Sequence, residues 1–320
     1  MHAAEIPFGG GVSPRFTRRP KGQSTVEYVL VIAIIVLVIL IAGPWVSSAI
    51  RNQFNTVAGA IGSGTTGENF YEPVDIPDPQ NGTAFAVYSE DDHSLMFYKR
   101  RGVPKVGDMF NYRRVMAVYT GFETDRYTNL NGDEWGQWYW HEPNTPWWSI
   151  RNAVCTVKVV DIGIAPASID YWFYRMEGLS NVDVEKLDTS RCSDFFLTFG
   201  RCDKLVSLDL SSWSTRSLTQ LNGTFLGCMR MKSLNIDGWK TSNVTSFHCL
   251  FHQCKSMGDD AMRSVTDSLE INEKATNVSL MFEGCYRLNL DCSNWNVRSD
   301  ANHDGFNHSA PGVILPKVWQ

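Results

Sequence analysis

The chain carries no charge from Tyr28 to Ile50, and residues 29–42 are apolar throughout. A helix rising 1.5 Å per residue crosses the hydrocarbon of a bilayer, about 30 Å, over such a stretch. Ile50, Phe54, Val57 and Ile61 continue at helical spacing. The pattern therefore predicts one long helix over residues 23–61, running past the membrane and kinked at Pro44. Residues 62–83 then switch to Gly-Ser-Gly-Thr-Thr-Gly followed by Pro73, Pro77 and Pro79, which reads as a linker. Short alternating or aromatic runs follow at 84–88, 95–98 and 115–119, with a polar turn between the first two. They predict strands, a hairpin and a small β-rich, aromatic module over 84–146.

From there the chain repeats itself. Phe173, Phe199, Phe225 and Phe251 stand 26 residues apart, and Met176, Cys202, Cys228 and Cys254 follow each by three. Leu179, Leu205, Met231 and Met257 keep the same register, and Trp213 and Trp239 close two units. After an insertion around 258–271, a last unit returns with Phe282, Cys285, Leu288, Leu290, Cys292 and Trp295. One unit cannot bury its own Phe and Leu, so units must stack. At about 4.8 Å per strand, five rungs would extend roughly 24 Å. The fold class expected is thus an N-terminal transmembrane helix, a small β module, and a leucine-rich-repeat-type solenoid with a parallel β ladder over 147–295. The tail, 296–320, has little pattern.

Composition limits the function. With 320 residues, 43% hydrophobic and 12% aromatic, the chain can bury a sizeable core, and its net charge of −5 argues against nucleic acid as a partner. Four of eight cysteines, Cys202, Cys228, Cys254 and Cys285, lie on the repeat period beside apolar positions and read as small packing residues. Cys155, Cys192, Cys249 and Cys292 do not share that column, and an even count outside the membrane leaves disulfides open. Cys249 and Cys254, with His248 and His252 beside them, lack a second close pair, so no metal and no cofactor are expected. The chain has no nucleophile elbow and no phosphate loop, and enzyme function has no positive support. A hydrolase would need converging carboxylates, and Asp133 and Glu134 are adjacent on a turn. Trp135, Trp138, Tyr139 and Trp140, with Trp147 and Trp148, either form a platform for a ligand or cap the first rung of the stack.

One short stretch carries a resemblance. Gly22-Gln23-Ser24-Thr25-Val26-Glu27-Tyr28 follows a leader containing Arg15, Arg18, Arg19 and Lys21 and precedes the apolar run. A carboxylate at the head of an apolar helix needs a partner, and a cut after Gly22 would place the new amino group at Gln23, one helical turn from Glu27. The stretch resembles the type IV pilin class, with a Glu-Tyr pair like the Flp branch made by Tad secretion systems. That resemblance implies a leader over 1–22, a prepilin peptidase cutting between Gly22 and Gln23, and Glu27 and Tyr28 serving assembly. Other pilin subunits and the Tad assembly machinery would then be partners. Two other readings compete, a secretory signal cut after Ala49 and a plain signal anchor. Basic residues before the helix would stay inside, placing everything after Arg51 outside.

The repeats, with Phe-x-x-Cys and the polar phrases 188–191, 214–217 and 240–243, resemble the BspA-like leucine-rich repeat family of bacterial surface proteins. This implies a cell-surface binding or adhesive role with no catalytic residues. Together the two resemblances lead to the expectation of a minor or tip subunit of a Tad-like pilus, anchored in the membrane before assembly. Its outward head would bind a host or cell-surface protein or glycan. The alternative is a signal-anchored receptor or scaffold that never enters a filament.

Overall fold

The computed structural model describes residues 77–130, 141–258 and 265–320, all within the compact unit Phe70–Gln320. Strands β1 (Thr83–Ser89) and β2 (Ser94–Arg100) form an antiparallel hairpin in which Ser89 faces Ser94. Alternation along these strands sorts their side chains into two cores. Ala84, Ala86, Tyr88, Leu95 and Phe97 enter the main core, whereas Phe85, Val87, Met96 and Tyr98 meet Phe110 and Val115 in a smaller one. The smaller core is covered by a second hairpin, β3 (Met109–Phe110) and β4 (Arg113–Arg114). Next, β5 (Ala117–Thr120) pairs with β1, while β6 (Thr156–Val159) pairs parallel with β2 and β7 (Asn181–Asp183) with β6. The order β5-β1-β2-β6-β7 makes one five-stranded sheet, so the front module and the first repeats share a sheet. A buried pair ties its edge, with Arg100 Nε 2.6 Å from Asp161 Oδ2. Breaking one partner would leave the other charge buried and alone.

Beyond the sheet, each rung is held to the next by a second device. Tyr171, Leu197, Gly223, Cys249, Leu280 and Gly305 all have left-handed backbone, and so do Arg175, Arg201, Gly227, Gln253, Gly284 and Ser309 four residues later. Left-handed turns at this spacing aim alternate N–H groups along the stack axis. Tyr171, Phe173 and Arg175 donate to the carbonyls of Phe196, Thr198 and Gly200 at 2.8–2.9 Å. The same pattern recurs from rung to rung until Leu280, Phe282 and Gly284 donate to Asp304, Phe306 and His308.

Side chains complete the joint. Cys202 Sγ donates to the carbonyl of Phe173, Cys228 Sγ to that of Phe199 and Cys254 Sγ to that of Phe225, at 3.1–3.2 Å and always 29 residues back. Thr198 and Thr224 hydroxyls and the Trp213 and Trp239 indoles reach back by the same 29 residues. This accounts for Phe-x-x-Cys: a thiol three places after one Phe sits over the carbonyl of the Phe one period earlier. For Cys285 the step to Phe251 is 34, because the insertion lengthens that unit. Inside the stack Phe199, Phe225, Phe251 and Phe282 lie face to face, their ring centroids 5.6–6.1 Å apart.

Three expectations are corrected. The long helix over 23–61 lies outside the described residues, so nothing described supports a fold led by a transmembrane helix. Among the described residues no helix is long and apolar enough to cross a membrane, and the architecture is one of small sheets. Among the described residues helix is confined to 265–268 and to two 3-10 turns, Trp148–Ile150 and Lys317–Trp319, because the rungs satisfy their backbone across the stack. Nor is the parallel ladder continuous. Among the described residues β8 (Ser207–Asp209) pairs only with β9 (Ser233–Asn235), and β10 (Asn289–Asp291) only with β11 (Gly312–Ile314). Strands of three residues end at their turns, and the insertion separates β9 from β10. Finally, the tail adds a rung: β11 extends β10, Phe306 packs edge-on to Phe282 at 5.2 Å, and Trp319 lies over Phe306 at 5.5 Å.

Candidate binding face

The short strands turn alternate residues outward. On β7, β8, β9 and β10 the central Val182, Leu208, Leu234 and Leu290 face inward, and the flanking residues form two outward columns. One column is Asn181, Ser207, Ser233 and Asn289; the other is Asp183, Asp209, Asn235 and Asp291. Each of three strand ends is locked by a turn in which the outward side chain accepts a backbone N–H two residues on: Ser211 to Asp209, Asp237 to Asn235 and Ser293 to Asp291, at 2.8–3.1 Å. Asn235 also donates to Asp209 across the rungs at 3.1 Å, and Lys158 pairs with Asp183 at 2.6 Å.

These contacts fix both charge and orientation. Partial burial pushes the Asp209 carboxyl up, but hydrogen bonds from Ser211 and Asn235 outweigh it and hold the group below the usual carboxylate range. The Ser293 side chain and backbone likewise lower Asp291. The face is a row of held acceptors in which Asp209 and Asp291 are ionised at neutral pH, suited to a ligand rich in hydrogen-bond donors or positive charge.

The structure places the other sequence-derived residues as follows. Phe173, Phe199, Phe225, Phe251 and Phe282, with Cys202, Cys228, Cys254 and Cys285, are wholly buried and belong to the core. Burial pushes these four thiols far above their ordinary range, which leaves them protonated. All eight cysteines are free, and only Cys155 is part-exposed. In the native protein one thiol of the eight is expected to react promptly with an aromatic disulfide reagent. Release of several thiols before unfolding would contradict the packing.

Cys249 Sγ approaches His248 Nε2 at 3.2 Å, but among the described residues no group of three or more His, Cys, Asp or Glu is placed to hold a metal. Trp147 is buried among Phe97, Phe122 and Trp172, and its indole donates to the carbonyl of Trp172 in the first rung. Trp148 stacks on Tyr174. Trp135, Trp138, Tyr139, Trp140, Asp133 and Glu134 lie outside the described residues, as do Gly22, Gln23, Glu27 and Tyr28.

Sequence reasoning missed two features. Phe306 follows Phe282 by 24 residues, off the period and without a Cys three places later. Asp170 and Asp194, on neighbouring rungs, gave no signal because they occupy different columns.

No curated protein and no solved structure matches the chain. A resemblance to Flp/Tad-type pilins, and with it the keywords pilus, prepilin and transmembrane helix, finds no support in the family comparison, and the BspA-like assignment is likewise replaced. The chain is instead similar, over residues 167–274 and 271–311, to the family described as "Mycoplasma protein of unknown function, DUF285".

Proposed function

We propose that this chain is a non-catalytic binding protein, displayed at the cell surface, whose repeat stack presents its strand face to an external protein or glycan. One observation carries the reading: Asp183, Asp209, Asn235 and Asp291 form an outward column, three of them held by turns at successive strand ends. Pre-ordered polar groups lower the cost of fixing an interface, so a shallow face can still bind selectively. Solenoids commonly use such extended faces in recognition.

Purified protein would be tested on an array of glycans and on immobilised collagen, laminin and fibronectin. A chain carrying Asp183→Ala, Asp209→Ala and Asp291→Ala together should lose at least tenfold in affinity for whatever is retained, while still unfolding in one cooperative thermal transition. Equal retention by this variant, or no retention on any surface, would sink the proposal.

A specific observation favours a second reading, that of a scaffold for a protein partner. On the β3–β4 hairpin Met109 and Tyr112 are 60% and 66% exposed, Val106 just before it is 67% exposed, and Tyr112 holds a left-handed backbone at the turn. Exposed apolar residues gathered on one short hairpin mark contact surfaces.

A further inference from the structure

Two carboxylates stand on adjoining rungs, in columns whose other members are neutral apart from His248 and Asp304. Three residues before the first left-handed position of each rung the column reads Ser168, Asp194, Gln220, Ser246, Asn277 and Asn302, bridged in parallel from Asp194 onward. One residue before it, the column reads Asp170, Phe196, Asn222, His248, Ser279 and Asp304. The polar members do similar work. Asn222 Oδ1 accepts the N–H of His248 on the next rung, and Asn277 and Asn302 accept the N–H two residues on, all at 3.1 Å.

Asp170 takes the role of Asn222 and accepts the N–H of Phe196 at 3.1 Å. Asp194 occupies the place of Asn277, two residues before the Phe196 amide that Asp170 takes from the neighbouring rung. The two carboxylates thus stand on either side of one amide, in places that other rungs fill with Asn222 and Asn277. Asp194 Oδ1 is sealed from solvent and has no hydrogen-bond partner. Two ionised carboxylates cannot share such a place without a positive charge between them.

The groups around them do not supply it. Ser168 Oγ donates to Asp170 Oδ2 at 2.8 Å, and His141 stacks on Phe196 with its Nδ1 engaged by the Tyr171 hydroxyl. Arg126, itself exposed, is the basic residue that acts on Asp170. The Cys192 thiol faces Asp170 and Asp188, with Arg191 and Arg126 beyond, and burial keeps it protonated.

The geometry points to a shared proton: Asp170 and Asp194 form an acid–carboxylate pair that fastens the first two rungs while the proton is bound and loosens them when it is lost. Burial raises both groups above the usual carboxylate range, and the charge of Asp170 raises Asp194 further. The folded state therefore binds more protons than the unfolded state. Its stability is fully present below about pH 4, the ordinary aspartate value, and declines as pH rises through the raised values.

Thermal melts of the full chain between pH 5 and pH 8 test this. The wild type should lose about 3–6 °C across that range. Asp194→Asn, patterned on Asn277, should remove most of that loss and melt higher than wild type at pH 8. Asp170→Asn, patterned on Asn222, should do the same, and the double variant should match either single one. In the wild type, one aspartate carboxyl carbon resonance should titrate well above its ordinary range, which keeps the test open if a variant fails to fold. Parallel pH curves for wild type and both variants would overturn the proposal. So would a rise in wild-type melting at pH 8 with about 1 mM calcium chloride that Asp194→Asn abolishes, since the pair would then hold a cation.

Discussion

Replacing Phe225 with alanine should lower the unfolding free energy by about 3–5 kcal/mol, the cost of truncating a buried aromatic ring. The ring is 1% exposed and lies between Phe199 and Phe251, at centroid distances of 6.1 Å and 5.6 Å. Neither neighbour can close the gap, because each is stitched through its own backbone carbonyl to a cysteine of the following rung. Native domains hold only about 5–15 kcal/mol in all. Urea denaturation followed by tryptophan fluorescence would measure the loss. A change below about 1.5 kcal/mol would mean that the aromatic column contributes little beyond filling space.

The second large effect is expected at the other end of the stack. Trp147→Ala should cost about 3–5 kcal/mol, and Trp147→Phe about 1–3 kcal/mol because it leaves the carbonyl of Trp172 without its donor. Trp147 touches Phe97 of β2, Phe122 and Trp172 at once, so it joins the front sheet to the first rung. Hydrogen exchange distinguishes this from a general loss. Amides of β1, β2 and β6 should lose protection in Trp147→Ala while those between Gly223 and Phe282 keep theirs, as expected where rungs contact only their neighbours. Uniform loss along the whole chain would show instead that the stack unfolds as one block.

Different parts of this fold were legible to different degrees. The period of Phe and Cys was plain because each residue repeats one contact, the ring in the core and the thiol on the carbonyl one period back. The left-handed columns were not, because glycine marks them at Gly223 and Gly227 while Leu197, Arg201, Cys249 and Gln253 hold the same conformation in neighbouring rungs. Packing along the axis overrides the usual residue preference there. The last rung was hidden because Phe306 is off the period and is paired through β11 and Trp319 instead. As for the candidate face, the strands at Leu208 and Leu234 could be read from alternation. The turn at Asp209 that fixes its outward carboxylate depends on geometry that the spacing of residues does not carry. The pilin reading rested on a charged residue before an apolar run, a pattern with few constraints, and the family match falls elsewhere in the chain.

Because the left-handed segment of each rung sends its N–H groups toward the next rung, that segment has a direction, much as a helix does, although elsewhere Thr219, Thr245 and Asn302 donate back to the preceding rung. The peptide dipoles of Tyr171, Phe173 and Arg175 add to those of Leu280, Phe282 and Gly284 instead of cancelling as they would in an alternating sheet. The first-rung end of that segment is therefore carbonyl-rich, and the indole of Trp147 donates to one of its carbonyls. The opposite end of that segment, around Gly305 and Ser309, carries the partial positive charge.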